Sequence, residues 1–507
     1  MVQGTSSYAG KSTIVAGLCR VFSQAGYRVA PFKAQNMSNN AAVTAGGGEV
    51  GRAQAVQAMA AGVPVTVDMN PVLLKPQSDR TSQIVVLGRA RRVANAREYY
   101  DLKSELWPVV TGALDRLRAM YDIVVAEGAG SPAEINLAQY DIVNMRVARY
   151  ADAPVILVGD IDRGGVFAAL YGTVALLEPE ERALVRGFII NKFRGDPSLL
   201  TPGFGMLLER TGIPTLGVLP YLDLSRLPEE DGPDWDRLRR EADRPDETLV
   251  DIAVMRLPHI ANLDEFQPLA LEPDVRVRFV ASVEDLKRPD LIVVPGTKTT
   301  LADLAWLRSR GLDREIRERR ARGTPVLGIC GGFQMLGVRL IDEHGAEARG
   351  DVTGLGLLPV TTEFSPEKVT RRVTARVAGG SALWTTDAHA ALDAYEIHMG
   401  RTCAVPGARL GVAPFAVASS TDEVSDGACS EDGLVVGTYL HGLFENATLR
   451  RALVARLAAR KGRQATDTAE LPSIDVALDA LAAALREHID LAAIEDMVGL
   501  SRSVTVP

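Results

Sequence analysis

The feature that most limits the fold of this chain is a series of short apolar runs, each ending in glycine, aspartate or proline and separated from the next by a segment with helical spacing. Strands that are buried on both faces of a parallel sheet read as such runs, because helices cover both sides. The pattern predicts an α/β protein with doubly wound, mostly parallel sheets. The runs are RVAPFK, DIVVAEGAG, PVILVGDID, GFIINKF and TLGVLPY, then VDIAVMRLP, RVRFVAS, DLIVVPG, TPVLGIC and GLVVGTYLHG.

The series is interrupted once, which divides the chain into two α/β domains. Residues 225–247 are charged and rich in proline, which is typical of an exposed linker. After the last strand, two alanine-rich segments at 448–461 and 474–491 carry leucines at helical spacing, and we expect both helices to pack on the second domain. The predicted units are a first domain at 1–224, a linker at 225–247, a second domain at 248–447 and a C-terminal helical extension at 448–507.

Charge and cysteine content argue against several classes of protein. A net charge of −8 offers no broad basic surface for a phosphate backbone, so nucleic acid is not an expected partner. No apolar run approaches the roughly 18 residues of a membrane span, and the N-terminal residues lack the apolar stretch of a signal peptide. Four cysteines are too few for a disulfide framework. We expect a soluble cytoplasmic protein with no membrane partner, and the sequence makes no prediction of its oligomeric state.

A glycine-rich turn, GTSSYAGKST at residues 4–13, lies where a first strand would lead into a helix. Its glycines let backbone N–H groups point at an anion, Lys11 supplies a positive charge and Ser12 offers a hydroxyl to Mg²⁺. A plain glycine turn that caps a helix is the alternative, but the Lys-Ser-Thr run favours a cradle for nucleotide phosphates. The predicted nucleotide-binding residues here are Gly4, Thr5, Gly10, Lys11, Ser12 and Thr13.

Polar residues at later strand ends are candidates to complete this site. A bound nucleotide needs a carboxylate to hold Mg²⁺, and Glu127 is the strongest candidate, followed by Asp160. Asp160 or Asp162 could instead cap the next helix. Lys33 could balance phosphate charge or simply lie at the surface, and the side-chain amide of Asn191 could contact the base.

The second candidate site surrounds Cys330, which lies between glycines directly after an apolar run, in the sequence GICGG. This is a cysteine version of the nucleophile elbow, in which a tight strand-to-helix turn exposes the reactive atom. The helix N-terminus favours the thiolate, and the N–H groups of Gly331 and Gly296 are candidate oxyanion donors. His441, at the end of the last strand, is the best candidate for a base.

A buried, inert thiol is the usual alternative for a cysteine, and we apply it to the other three cysteines of the chain. For Cys330 the glycines on both sides argue against it. His398 is a weaker candidate for the base, or a structural histidine. The three cysteines interpreted as inert are Cys19, Cys403 and Cys429.

The segment around Cys330, G-x-C-x-G-x-Q with Gln334 four residues after the cysteine, resembles class I glutamine amidotransferases. In that superfamily the histidine is normally followed two residues later by glutamate, which completes a triad. Here that position is Leu443, so the resemblance implies no third member, and Glu445 is not expected to replace it.

The first domain resembles ATP-dependent carboxylate-activating proteins of the dethiobiotin synthetase type, whose longer P-loop matches the five residues between Gly4 and Gly10. Over nearly the whole chain, the segments APFKAQNMSNN, MNPVLLKP, VVAEGAGSPAEINL, VGDIDRGGVFA and YEIHMGRT resemble the cobyric acid synthase family. The chain departs from the family at Tyr8, where an aspartate is usual, and this departure bears on nucleotide handling.

This resemblance implies a carbon–nitrogen ligase that uses glutamine, ATP and Mg²⁺, with no tightly bound redox cofactor. Its corrinoid substrate would be adenosylcobyrinic acid a,c-diamide, amidated at the b, d, e and g carboxylates for cobalamin biosynthesis. The implied roles are Cys330 as nucleophile, His441 as base and acid, Gly331 and Gly296 as oxyanion donors, Gln334 as a glutamine contact, Ser12, Glu127 and Asp160 as metal ligands, and Gln35, Asn36, Arg52, Gln54 and Asp162 as neighbours of the acceptor.

Three other functions stay open at this stage. The sibling enzyme, cobyrinic acid a,c-diamide synthase, shares both domains, and the same chemistry could act on another carboxylate. A regulatory ATPase of the partitioning type shares only the first domain. Those ATPases carry a signature lysine five positions before the P-loop lysine, which here is Ser6, so the sequence argues against that class.

Overall fold

The computed structural model describes residues 1–78, 80–223, 226–227, 250–384, 391–418, 423–466 and 473–500. The predicted linker at 225–247 therefore lies outside the described residues, except for residues 226–227. The described chain forms two α/β units with mostly parallel central sheets, which confirms the predicted fold class. No helix in these ranges is both long and apolar enough to cross a lipid bilayer.

The first domain alternates strands and helices in the order that the apolar runs predict. Its strands are β1 Val2–Gly4, β2 Val29–Phe32, β3 Gln35–Met37, β4 Ala41–Val43, β5 Glu49–Gly51, β6 Val72–Pro76, β7 Thr81–Val86, β8 Arg89–Asn95, β9 Ile123–Ala126, β10 Val155–Asp160, β11 Val185–Phe193 and β12 Thr215–Pro220. Its α-helices are α1 Lys11–Gln24, α2 Arg52–Ala60, α3 Ala96–Met120, α4 Met145–Ala151, α5 Val166–Leu176, α6 Pro179–Arg182 and α7 Thr201–Thr211, and its 3-10 helices are Val67–Met69, Ile135–Tyr140 and Pro197–Leu200.

The central sheet of this domain brings the predicted polar residues to one edge. Strands β1, β10, β11 and β12 pair in that order and run parallel. The parallel pair β2 and β9 joins them through a bridge between Val2 and Glu127. Because the carboxyl ends of parallel strands meet at one edge, the turn after β1 lies beside Glu127 and Asp160. A second, mixed sheet of β3, β6, β7 and β8 and the β4–β5 hairpin extend this domain toward the other.

The second domain contains a parallel sheet and a largely antiparallel one. Its strands are β13 Val250–Met255, β14 Val275–Val280, β15 Leu291–Val294, β16 Val326–Ile329, β17 Arg339–Asp342, β18 Gly350–Thr353, β19 Val360–Val377, β20 Leu392–Ala404, β21 Phe415–Ala418, β22 Glu423–Asp426, β23 Ala428–Cys429, β24 Val435–Thr438 and β25 Leu440–His441. Its helices are the 3-10 helices Leu263–Phe266 and Leu443–Glu445 and the α-helices α8 Gln267–Ala270, α9 Val283–Leu286, α10 Thr300–Ser309, α11 Leu312–Ala321 and α12 Gly331–Leu336.

The two sheets of this domain meet at the candidate cysteine. The first sheet has the order β14, β13, β15, β16 and β24, all parallel, with β23 antiparallel at its edge. The second sheet has the order β18, β17, β19, β20 and β25, with β21 paired to β19 and β22 paired to β21. Strand β16 ends at Ile329, next to Cys330, and β25 ends at His441, so both candidate residues lie at strand ends.

The C-terminal helices are α13 Ala447–Arg460, α14 Ile474–His488 and α15 Leu491–Met497. Helix α13 packs on the second domain as expected. The prediction that the segment at 474–491 also packs there is wrong, because Leu481 and Leu485 of α14 are buried in the core of the first domain, against α1. An ion pair of 2.7 Å between Arg20 and Asp479 joins the same two helices. Leucines at helical spacing show that a helix has an apolar face, but not which surface that face covers.

Gly17 of α1 provides a test of this packing. A Cβ added at Gly17 would lie 2.2 Å from Cδ1 of Leu485, so we expect Gly17→Ala to lower the free energy of unfolding by about 1–3 kcal/mol through overpacking. Gly112 of α3 is the matched control, since its added Cβ would meet only the flexible end of Arg116 at 3.4 Å. Gly112→Ala should raise stability by up to about 1 kcal/mol. Urea unfolding measures both, and equal stabilities would contradict the placement of α14.

Candidate active sites

Cys330 occupies a strained turn between β16 and α12. Its φ of 52° lies in the left-handed region, which residues with a side chain seldom adopt and which is characteristic of a nucleophile elbow. The next two positions must be small, because a Cβ on Gly332 would lie 1.8 Å from the carbonyl oxygen of Val294. As the first residue of α12, Gly331 has an N–H that the helix itself does not use. The local sequence thus places the thiol at a helix N-terminus, as predicted, but the thiol is buried at the wall of a small cavity and not exposed as the sequence led us to expect.

His441 faces this cysteine across a small cavity. Burial by itself would lower the pKa of His441, but the charge of Glu265 and a hydrogen bond with Cys330 raise it to about 10. The Nδ1 atom of His441 lies 3.3 Å from Oε1 of Glu265. A histidine held protonated beside a thiol is the arrangement that stabilises a thiolate. His398 also borders the cavity, but burial lowers its pKa to about 4 and its Nδ1 contacts the carbonyl oxygen of Gly400.

Glu265 is the residue that sequence reasoning missed. The sequence implied no carboxylate partner for His441, because Leu443 stands where the amidotransferase glutamate is expected. The structure supplies one from the 3-10 helix Leu263–Phe266, 176 residues earlier in the chain. Glu265 is almost completely buried. Glu445 does not take this place, and its carboxylate lies 3.5 Å from Arg52 instead.

The remaining predicted residues of this site surround the same cavity. Gln334 is held by three contacts: its side-chain nitrogen donates to the carbonyl oxygen of Met399 at 2.8 Å and to the hydroxyl of Tyr439, and its oxygen accepts from Thr300. Gly296 leaves room for the histidine, because a Cβ there would lie 3.1 Å from Cε1 of His441. Cys330, His441, Gln334 and Gly296 all line the cavity.

Charged residues from both domains close the other side of this cavity. Lys75 of the first domain and Lys368 of the second both line it, and both pair with the buried carboxylate of Glu49, at 2.6 and 2.5 Å. Lys298 and Glu347 face each other at its wall, where burial lowers the pKa of the lysine and raises that of the glutamate. The thiol pocket is therefore enclosed jointly by the two domains.

The glycine-rich turn forms the predicted cradle at the start of α1. Lys11 donates from Nζ to the carbonyl oxygens of Ser6, at 3.0 Å, and Gly130, at 3.1 Å. Its ammonium group is thus held over the loop. Gly10 has a φ of 97°, and an added Cβ would lie 2.0 Å from the side-chain nitrogen of Asn191, so no other residue fits there. That nitrogen donates to the carbonyl oxygen of Ala9 at 3.0 Å, which places Asn191 against the loop backbone.

Glu127 lies at the centre of a buried polar cluster next to this loop. Its Oε1 accepts from the hydroxyl of Ser12 at 2.7 Å and from Nζ of Lys33 at 2.8 Å. Its Oε2 accepts from the side-chain amide of Gln57 at 2.6 Å. Asp160 lies on the other side, where Lys192 Nζ is 2.9 Å from its Oδ2. Neither Asp160 nor Asp162 caps the next helix, whose N-cap is Gly165.

A cavity of about 1150 Å³ opens in front of this loop. It exceeds the roughly 300–1,000 Å³ of ordinary small-molecule sites, which suits a nucleotide together with a large acceptor. The cavity is also lined by Lys192, which follows Asn191 at the same strand end, and by Lys103 and Arg163, which the sequence did not single out. Arg52 and Gln54, predicted neighbours of the acceptor, do not line it. The predicted residues that do are Gly10, Lys11, Ser12, Thr13, Lys33, Gln35, Asn36, Asp160, Asp162 and Asn191.

The donors at this end of the cavity fit a nucleotide with Mg²⁺. A hydroxyl and carboxylates are the oxygen ligands that Mg²⁺ prefers. Ser12 and Asp160 line the cavity, and the buried Glu127, which does not, accepts from the hydroxyl of Ser12. The N-terminus of α1 and the ammonium of Lys11 suit phosphate groups. Within the described ranges, no group of three or more histidine, cysteine, aspartate or glutamate side chains is arranged to hold a metal by itself. Magnesium would therefore also need oxygens from the nucleotide and from Ser12.

Comparison with known proteins agrees with this division of sites. The profile of the CobQ/CobB/MinD/ParA nucleotide binding domain matches residues 1–233, and that of the CobB/CobQ-like glutamine amidotransferase domain matches residues 251–449. A cobyric acid synthase from Sorangium cellulosum is 51% identical over 515 aligned residues, covering 99% of both chains. A protein of the same name from Dehalococcoides mccartyi is 49% identical, and the alignment covers 97% of both chains. Another, from Yersinia enterocolitica, is also 49% identical, and the alignment covers 97% of this chain and 96% of the relative. With such identity over almost its full length, the chain belongs to the cobyric acid synthase family.

Proposed function

We propose that this protein uses ATP and glutamine to amidate the b, d, e and g carboxylates of adenosylcobyrinic acid a,c-diamide, and so acts as a cobyric acid synthase in cobalamin biosynthesis. The observation that carries the proposal is the pairing, in one chain, of a thiol–imidazole–carboxylate pocket with a P-loop cavity. A carboxylate resists attack by ammonia until one oxygen becomes a leaving group, so amidation requires both chemistries. We also propose a cytoplasmic location, which agrees with four free cysteines.

In the glutamine site, we assign Cys330 as the nucleophile that attacks the side-chain amide of glutamine. His441 donates the proton that the departing ammonia needs and later takes one from the water that hydrolyses the thioester. Glu265 holds the imidazolium form and fixes the ring through Nδ1. The N–H groups of Gly331 and Gly296 stabilise the oxyanion, and Gln334 shapes the glutamine pocket.

In the synthetase site, Lys11 and the P-loop N–H groups would bind the nucleotide phosphates, and Ser12, Glu127 and Asp160 would hold Mg²⁺. When bound, Mg-ATP supplies the phosphoryl group that makes a carboxylate oxygen a leaving group. Lys33 neutralises Glu127 and lines the same cavity. Gly4 and Thr5 complete the turn. Three further residues line the same cavity, and we assign them to contact with the acceptor: Gln35, Asn36 and Asp162.

Mass spectrometry of the corrinoid tests this assignment. Purified protein with adenosylcobyrinic acid a,c-diamide, Mg-ATP and glutamine should add four amides stepwise. Conversion of cobyrinic acid at only the a and c positions would instead identify the sibling activity. The absence of any amidation, with glutamine or with ammonia, would move the search to other carboxylates. Nucleotide hydrolysis without amidation or glutamine cleavage would favour a regulatory ATPase.

Replacing Glu265 by glutamine tests the carboxylate that the sequence did not reveal. We expect Glu265→Gln to lower kcat for glutamine hydrolysis by about 10²-fold or more, because the imidazolium loses its buried counter-charge. Burial lowers the pKa of His441 and Glu265 raises it, so without this charge the imidazolium deprotonates at lower pH. The alkaline limb of the pH profile of glutamine hydrolysis should therefore move down by at least about one pH unit.

The matched control is Glu445→Gln, which removes the glutamate nearest to His441 in sequence. Its side chain is 53% exposed, and we expect kcat to stay within about threefold of wild type. If Glu445→Gln loses activity and Glu265→Gln keeps the wild-type pH profile, the carboxylate partner of His441 is Glu445 and not Glu265.

A further inference from the structure

Arg52 belongs to the first domain, but its guanidinium group lies against the second. Its Nε is 2.7 Å from Oδ2 of Asp264, and the same side chain donates to the hydroxyl of Tyr395 at 2.9 Å. The side chains of Arg52 and Asp264 are 12% and 4% exposed, so water screens this ion pair little. Arg52 does not line the large cavity in which an acceptor would bind.

Two of the three partners of Arg52, Asp264 and Tyr395, lie next to the catalytic histidine or its carboxylate, and the third is Glu445. Asp264 directly precedes Glu265 in the 3-10 helix Leu263–Phe266. The ring of Tyr395 stacks on the ring of His441, with centroids 5.3 Å apart and an angle of 17° between the planes. One guanidinium group therefore fixes the histidine from two sides, through Glu265 and through the tyrosine ring.

The first domain also holds the start of this 3-10 helix through asparagines. The Oδ1 atom of Asn40 accepts from the N–H of Leu263 at 3.1 Å. A second hydrogen bond crosses the interface, from the N–H of Ala41 to Oδ1 of Asn262 at 3.0 Å. The side-chain nitrogen of Asn262 in turn lies 3.4 Å from Nδ1 of His441. The segment that carries Glu265 is thus hydrogen-bonded on its outer side to the synthetase domain.

From these contacts we propose that Arg52 is a positioning residue for glutamine hydrolysis. It holds Tyr395 and Asp264, the residue before Glu265, and through them His441, from across the domain interface. The inference rests on the proposed glutaminase role of Cys330 and His441. It replaces the acceptor-contact role that the sequence predicted for Arg52. Its consequence is that the glutamine site reaches its productive geometry only when the synthetase domain is docked.

The helix that begins at Arg52 gives this interface a link to the nucleotide site. Helix α2 runs only from Arg52 to Ala60, and Gln57 on it donates to Oε2 of Glu127 and to the carbonyl oxygen of Ser12, at 2.6 and 3.3 Å. The carboxylate of Glu127, which would hold Mg²⁺ together with the hydroxyl of Ser12, is therefore hydrogen-bonded to the helix that begins at Arg52.

Arg52→Gln and Arg52→Lys test the proposal in the full-length protein. A misplacement of about 1 Å can cost about 10²-fold in rate, so we expect Arg52→Gln to lower kcat for glutamine hydrolysis by about 10- to 100-fold, with KM for glutamine nearly unchanged. Arg52→Lys keeps the charge opposite Asp264 but lacks the planar fork that also reaches Tyr395, so it should recover part of the loss. Ammonia-dependent amidation should remain within about twofold of wild type.

Arg20→Gln is the matched control, because Arg20 also forms an ion pair with aspartate but at the α1–α14 contact, away from Cys330. It should leave glutamine hydrolysis unchanged. A parallel loss of ammonia-dependent amidation in Arg52→Gln would return Arg52 to the acceptor site and overturn the proposal. Normal glutamine hydrolysis in Arg52→Gln would also overturn it. Failure of the proposed function can be told apart from failure of the Arg52 proposal, because in that case the wild-type protein itself would not amidate the corrinoid.

Discussion

Replacing Cys330 by alanine is expected to lower glutamine-dependent amidation by at least about 10³-fold and to leave ammonia-dependent amidation within about twofold of wild type. The thiol is the only group at the elbow that can form a covalent acyl intermediate with glutamine. Alanine fits the turn without new contacts, so the synthetase site on the other domain should keep its geometry. Assays with glutamine and with ammonium chloride, followed by mass spectrometry of the corrinoid, measure both rates.

Cys403→Ala is the matched control, because Cys403 is an exposed thiol in the same domain. It should behave as wild type with both nitrogen sources. If Cys330→Ala keeps its glutamine-dependent rate, another group must release the ammonia. If it loses both rates, the substitution has disturbed the fold or the synthetase site, and thermal unfolding of the variant separates these two cases.

The parts of both sites that depend on local sequence were predictable. The elbow at Cys330 follows from glycines that must be small in any tight strand-to-helix turn, and the P-loop follows from glycines next to Lys11. His441 was predictable because it follows β24 closely, and the carboxyl ends of the parallel strands β16 and β24 meet at one edge of the sheet. The same rule brought Glu127 and Asp160 to the nucleotide loop. These features need only the spacing within one segment and the topology of a doubly wound sheet.

Glu265 and Arg52 were not predictable in this way. The roles that we propose for them depend on which surface of one domain faces the other, and no short motif encodes that choice. Residues 225–247, which join the domains, gave no signal of how the domains dock. Helix α14 shows the same limit of sequence-based prediction. Its leucines pack on the first domain, although the helix follows the second domain along the chain.

The largely antiparallel sheet of the second domain was missed for a different reason. In β19 and β20, apolar residues alternate with charged ones, as in half-exposed strands, so neither strand forms a continuous apolar run. A search for fully buried strands passes over such segments. This sheet nevertheless carries Tyr395 and His441, so the strands that were hardest to predict provide part of the catalytic pocket.

Replacing Lys11 by alanine should have the complementary effect to the loss of Cys330. We expect amidation with glutamine and with ammonia to fall equally, by about 10²-fold or more, because the ammonium is the point charge that opposes the nucleotide phosphates. Lys11 also links the P-loop to Gly130 through its two carbonyl contacts, so its removal loosens the loop as well. Glutamine hydrolysis measured without nucleotide should stay within about twofold of wild type, because Cys330 and His441 lie on the other domain.

Lys461→Ala serves as the control for the loss of a lysine. The side chain of Lys461 is 40% exposed, and within the described ranges its ammonium group forms one ion pair, with Asp290. Nucleotide affinity, measured by calorimetry with Mg-ATP, should fall in Lys11→Ala and not in Lys461→Ala. Ammonia-dependent amidation that survives in Lys11→Ala would mean that the glycine-rich turn is not the ATP site, and that carboxylate activation takes place elsewhere in the large cavity. Retained glutamine hydrolysis in the same preparation shows that the protein is folded, so a loss of amidation then belongs to the P-loop itself.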